Sequence, residues 1–213
     1  MMKMWMAAAG AAALMCAAGS APANSSKAGS SPSAKELTPV VKTFLADHGD
    51  LCLAWYVWPR DVTAEDQQSG SGEALQLPVL ERLGVVQSVE VADSSVPTRR
   101  YSLTDKGRQY YLHKKRIILD VHSQPEERDV DFCVAHLTLD SVVRWDPPEA
   151  QHGHVETVVR YTYHIKAADW MSDPEAQKVL PVVARIIHGE GRLLMTVTAQ
   201  LRDGGWVPVL PGQ

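Results

Sequence analysis

Apolar residues along this chain recur first at a spacing of three to four and later at a spacing of two, and the change of period divides it. Val40, Val41, Phe44 and Leu45 follow Thr38-Pro39 at helical spacing and stop at His48-Gly49, where a glycine stands just past the end of the run. Residues 51–58 are rich in aromatic and branched side chains and stop at Pro59, which predicts a strand. A polar loop over 61–72 is expected next, then a short helix over 73–83 with Leu77, Leu80 and Leu83 in step and Gly84 beyond its end. Val85, Gln87, Val89 and Val91 then alternate with Val86, Ser88 and Glu90; a turn at 93–97 and a second strand at 98–103 complete a hairpin. Thr104 is placed to cap a helix running to about 113, in which Gly107 costs roughly 1 kcal/mol relative to alanine.

Period two dominates the remainder. A strand over 132–143 puts Cys133, Ala135, Leu137 and Leu139 on one face and Val134, His136, Thr138 and Asp140 on the other, and Asp146-Pro147-Pro148 breaks it. The next strand, 154–166, sends Val155, Val159, Tyr161, Tyr163 and Ile165 to one side and His154, Glu156, Arg160 and His164 to the other, so the sheet has one wet face. Ser172-Asp173-Pro174-Glu175 has the form of a capping box with Ser172 as the cap. The helix it opens presents Val179, Leu180, Val183, Ile186 and Ile187, with a kink expected at Pro181. A last hairpin, 193–201 and 206–210, turns at Asp203-Gly204-Gly205, and no internal repeat is visible.

The first residues set the compartment. Lys3 precedes a small-apolar run from Met4 to Ala18, and Ala21-Pro22-Ala23 is a small-x-small pattern before Asn24, so 1–23 is expected to be a secretory signal peptide cleaved after Ala23. The run is about 15 residues, short of the roughly 20 a helix needs to cross a bilayer, and no second stretch of that length follows. The mature chain is expected to be periplasmic, with no transmembrane segment, beginning in a Ser/Lys/Ala linker over 24–34. A lipid anchor at Cys16 is the other reading of the segment; Met15 and Ala13 depart from the pattern lipidation uses, while Ala17-Ala18-Gly19-Ser20 suits a tethered linker. Cys52 and Cys133 then remain as a pair in an oxidising space, which favours one disulfide over two separate buried thiols, and neither has the close cysteine or histidine of a zinc site. Formal net charge is -4, but from Arg99 to Arg116 seven cations (Arg99, Arg100, Lys106, Arg108, Lys114, Lys115 and Arg116) face one acid, Asp105, which suggests a basic binding face or a solvated surface.

The stretch 77–86, Leu-Pro-Val-Leu-Glu-Arg-Leu-Gly-Val-Val, followed after the hairpin by Arg99-Arg100-Tyr101-Ser102-Leu103-Thr104-Asp105-Lys106-Gly107-Arg108, resembles the wing region of MarR-like and PadR-like winged-helix regulators. The likeness covers 77–110. It implies a winged-helix-like lobe, with the helix ending at Leu83 placed to enter a major groove and Arg99 and Arg100 at phosphates. That helix carries a single cation, Arg82, and the chain has an export signal, so packing or protein contact is expected of the lobe and nucleic acid is not the expected partner. The whole order of elements is similar to that of uncharacterised secreted or lipid-anchored bacterial proteins, which implies no activity. The fold expected is α+β: a winged-helix-like amino-terminal lobe over 35–116, then an antiparallel sheet packed by one helix over 117–213.

Candidate chemistry is sparse. His136, His154 and His164, with His152 beside them, could place imidazoles on the wet face for zinc or copper, or for a metal-dependent hydrolase, but they match no metalloenzyme spacing. There is no Gly-x-Ser-x-Gly elbow, and Gly189-Glu190-Gly191 and Gly70-Ser71-Gly72 lack the lysine and hydroxyl of a phosphate loop. Trp55, Tyr56, Trp58, Trp145, Trp170 and Trp206 suit core packing or binding anchors. No cofactor is expected. The function expected is that of a secreted, non-enzymatic protein, accessory or immunity-type, binding another macromolecule or the envelope surface, the other reading being a hydrolase or metal-dependent enzyme that uses the histidine-rich sheet face.

Overall fold

In a computed structural model, residues 31–92, 95–118, 126–151 and 153–209 are described, with the backbone alone at 113–118 and 126–130. The expected signal peptide, Cys16, most of the expected linker, His152 and the end of the last hairpin lie outside the described residues. Ser33 opens the first helix, α1 (Ala34–His48): its hydroxyl accepts from the Glu36 amide and the Glu36 carboxylate accepts from the Ser33 amide. The start expected at Thr38-Pro39 was too late, because this box lies upstream and Pro39 sits inside the helix.

The chain continues through β1 (Asp50–Cys52), β2 (Arg60–Thr63), α2 (Ala64–Ser69), α3 (Gly72–Arg82), β3 (Val86–Glu90), β4 (Thr98–Leu103), α4 (Asp105–Arg108) and β5 (Tyr111–Ile118). It ends through β6 (Glu126–Trp145), β7 (Glu149–Gln151), β8 (His154–Ala167), a 3-10 turn (Asp169–Ser172), α5 (Pro174–Val179), α6 (Pro181–His188), β9 (Met195–Arg202) and β10 (Gly205–Pro208). The strands form an antiparallel sheet in the order β1-β6-β8-β9-β10, with β5 also on β6 and β7 on β8, and a small sheet in the order β2-β4-β3. The α+β class holds.

Several expected elements change once packing is included. The strand read over 51–58 ends at Cys52: Ala54 turns the chain at φ 58°, and the Trp55 amide donates to the buried Asp131 carboxylate at 3.0 Å. The expected polar loop contains β2 and α2, the latter opened by a Thr63-Asp66 box. The helix from Thr104 lasts only to Arg108, since Tyr111 pairs with Phe132 and draws the chain into β5. A Cβ on Gly107 would stand 2.0 Å from the Val85 carbonyl oxygen, so the glycine is what lets α4 lie against the chain just before β3. Asp173, not Ser172, caps α5 by accepting from the Glu175 and Ala176 amides. Pro181 separates two helices instead of kinking one, with Leu180 at φ -121° and ψ 58° before it. Asp203 and Gly204, both at positive φ, make the two-residue turn between β9 and β10.

Two cores result. One lies under the small sheet, where Val62, Leu77, Leu80, Val86 and Tyr101 meet Trp55, Phe132, Val134, Trp170 and Met171. The other lies between α1 and the large sheet, from Leu37, Val40, Val41 and Leu45 to Leu137, Val159, Tyr161, Tyr163, Val197 and Ala199. Strand β6 serves both. Val134, expected on the wet face, is 1% exposed because β6 is covered on both sides over 131–135. The helix α1 and strand β1, expected in the amino-terminal lobe, pack on the large sheet. Where β1 crosses β6, Cys52 stands opposite Cys133, their Cα atoms 3.8 Å apart, and the expected disulfide is formed.

Candidate functional site

The cations expected to make a basic face are engaged locally wherever their side chains are described. Arg100 forms a two-point contact with Asp61 at 2.7 Å for each bond, and that guanidinium holds the Asp61 carboxyl below its usual range. Arg99 lies 3.9 Å from Glu81 and 3.6 Å from Glu90; Lys106 donates to the Leu83 carbonyl at 3.0 Å; Arg108 pairs with Asp105 and donates to the Leu103 carbonyl at 2.9 Å. Lys114, Lys115 and Arg116 lie on β5 where the backbone alone is described.

The helix that the winged-helix likeness would place in a groove presents a different surface. Ser71 caps α3 by accepting from the Ala74 amide, and Leu77 and Leu80 are fully buried, which turns Gly72, Leu75, Pro78 and Arg82 outward. Leu75 is 56% exposed. Arg82 is tied to Asp173 at 2.7 Å, and this bond lowers the Asp173 carboxyl, so the row offers an apolar centre without a free cation.

The uncovered face of the large sheet is polar, as expected. His164 stands between Asp140 and Glu190, 3.4 Å from each; Thr162 donates to Asp140 at 2.7 Å and lies 2.9 Å from the Ser141 hydroxyl. Arg160 donates to Asp146 at 2.6 Å and lowers its carboxyl, and Gln200 donates to Glu156 at 2.8 Å. His136 contacts the buried Asp50 at 2.8 Å. His136 faces Lys166 and His164 faces Thr138, so these imidazoles are diagonal neighbours that turn to separate carboxylates, while His154 lies about 33 Å along β8 from His164. The histidines of the sequence reading are thus not brought together: among the described residues, no three His, Cys, Asp or Glu side chains gather to hold a metal. Ser141 meets the Thr162 hydroxyl and not an imidazole. A cavity of about 310 Å³ beside it is lined by Asp146, Glu149, Gln151, Glu156 and Thr198.

The tryptophans divide between packing and rim. Trp55 and Trp170 are 5% and 4% exposed and belong to the first core, with the Arg60 guanidinium 5.4 Å above the Trp55 ring. Trp145 donates to the Ser31 hydroxyl at 3.3 Å, and Trp206 packs against the core beneath α1. A cluster not singled out in the sequence lies at the end of α6. There Arg185, His188, Gly189, Arg192 and Leu193 line a shallow depression of about 600 Å³. Its signal is the spacing of Arg185, His188 and Arg192, three and then four apart, which the denser basic run at 99–116 overshadowed. No family model, curated protein or solved structure matches the chain.

Proposed function

We propose that the protein is exported and works in the cell envelope as a non-enzymatic binding protein of accessory or immunity type, with a winged-helix-like lobe presented to a protein partner. The observation that carries this reading is the outward row of α3: Leu75 and Pro78 at its centre and its single cation neutralised by Asp173 suit a protein surface and not a phosphate backbone. The order β2-α2-α3-β3-β4, with strands arranged β2-β4-β3 and a short Gly70-Ser71 connection between the helices, supports the lobe's likeness to winged helices. The Cys52–Cys133 bridge supports an oxidising compartment, in agreement with the signal-like amino terminus.

The test is capture from an envelope extract on immobilised full-length protein, beside Leu75→Glu. A partner retained by the wild type and lost from the variant, with thermal stability unchanged, is the expected result. Equal retention by both proteins removes the α3 surface from the reading. Failure to capture any partner, combined with turnover on a hydrolase panel that vanishes on one point mutation, overturns the non-enzymatic reading.

A further inference from the structure

Arginines in this protein are mostly paired. Arg60, Arg82, Arg99, Arg100, Arg108 and Arg160 each have a carboxylate within 4.0 Å. Arg202 bonds Gln200, and Arg144 acts on Asp146. Arg185 and Arg192 differ: among the described residues neither meets a carboxylate, and both are exposed on the same depression with His188 between them. Arg192 gives one bond, at 2.9 Å, to the His188 carbonyl, which closes the helix end and leaves most of its donors outward. Glu190, the nearest acid in sequence, is turned away to the Ile165 amide at 3.0 Å and to His164. Two exposed aliphatic residues neighbour these cations along the chain. Val182, one turn before Arg185, is 71% exposed, and Leu194, beyond the half-buried Leu193, is 37% exposed.

Two always-charged guanidiniums without counter-ions among the described residues, on an open surface close in sequence to exposed aliphatic side chains, have the composition of an interfacial lipid contact. A compact anion would need an enclosing site, whereas this depression is shallow, and an exposed valine and leucine beside the cations suit contact with an apolar layer. We propose that the α6 end, Arg185, His188 and Arg192 flanked by Val182 and Leu194, rests on a membrane surface carrying anionic phospholipid, the guanidiniums at phosphates and the aliphatic side chains at the acyl boundary. This deepens the envelope reading above and rests on it for the source of the surface. It uses residues remote from Leu75 in the sequence, so partner capture and membrane contact can fail separately.

The experiment is sedimentation of the full-length protein with phosphatidylcholine vesicles, plain or carrying about 30% phosphatidylglycerol, at low and at physiological salt. The quantity read is the excess partition onto anionic over neutral vesicles, because the apolar run from Met4 to Ala18 is common to every variant. The wild type is expected to show an excess that shrinks with salt. Arg185→Glu should lower it about tenfold at low salt, Arg185→Gln less, and Val182→Asp several-fold. Arg185 makes no internal ion pair among the described residues, and circular dichroism checks that each variant is folded. An excess absent in the wild type, or unchanged in Arg185→Glu, overturns the proposal. Calorimetric titration with inorganic phosphate separates the remaining case: saturable phosphate binding without vesicle excess overturns the lipid surface in favour of a compact anion site.

Discussion

Tyr161 is 2% exposed beneath α1, and burial pushes its phenol up to about 12, with the neighbouring Tyr163 adding to the shift. In the unfolded chain a tyrosine titrates near 10. Between those values the unfolded state releases a proton that the folded state retains, so this residue's contribution is complete below about pH 10 and is lost as pH rises toward 12. Urea unfolding followed across that window should show stability falling with pH in the wild type and a shallower fall in Tyr161→Phe. A residual slope is expected because Tyr110 and Tyr163 are also raised by burial. An identical slope in both proteins would place Tyr161 in contact with solvent. Its inward direction was legible from strict alternation along β8; the titration was not, since it depends on α1 closing over the ring from the far end of the sequence.

Single caps decide more of the element boundaries than periodicity does. Ser172 and Asp173 are adjacent, and either could have accepted the first amides of α5 by sequence pattern alone. Asp173 takes the role because the 3-10 turn ends at Ser172, whose hydroxyl donates back to the Asp169 carbonyl at 2.7 Å. Asp173→Ala is accordingly expected to cost about 1 kcal/mol or more, with its Arg82 partner also released, and Ser172→Ala only a fraction of that. Thermal denaturation of the two variants separates them, and equal losses would return the cap to Ser172. The helix over 73–83, the hairpin of β3 and β4, and the turn at Asp203 were legible because each carries its own signal in consecutive residues. The fate of 51–58 was not: aromatic and branched residues suit a strand, but the Trp55 amide is claimed by Asp131, a residue far along the chain. At the candidate sites the same rule holds. The basic run and its own Asp105 were visible, whereas two further acids that neutralise it come from other elements, Asp61 from β2 for Arg100 and Glu81 from α3 for Arg99.

At the scale of the molecule, β6 ties the two cores together. Its first half gives Phe132 and Val134 to one, and Leu137 further along gives to the other, with the Cys52–Cys133 bridge close to the changeover. Loss of the bridge in Cys52→Ser with Cys133→Ser should therefore lower the stability of the whole fold by roughly 2 to 4 kcal/mol in one cooperative urea transition. Two separated transitions would mean that the cores are independent. The pairing of α1 with the carboxyl-terminal strands bears on the order of events during synthesis. The helix emerges early, but its apolar row is covered by β6, β8, β9 and Trp206 of β10, the last described strand. During synthesis the first helix meets β6 first, and its cover is complete only once β9 and β10 have followed. The last step in closing this core therefore joins residues at opposite ends of the described chain, a long loop to close and a slow one.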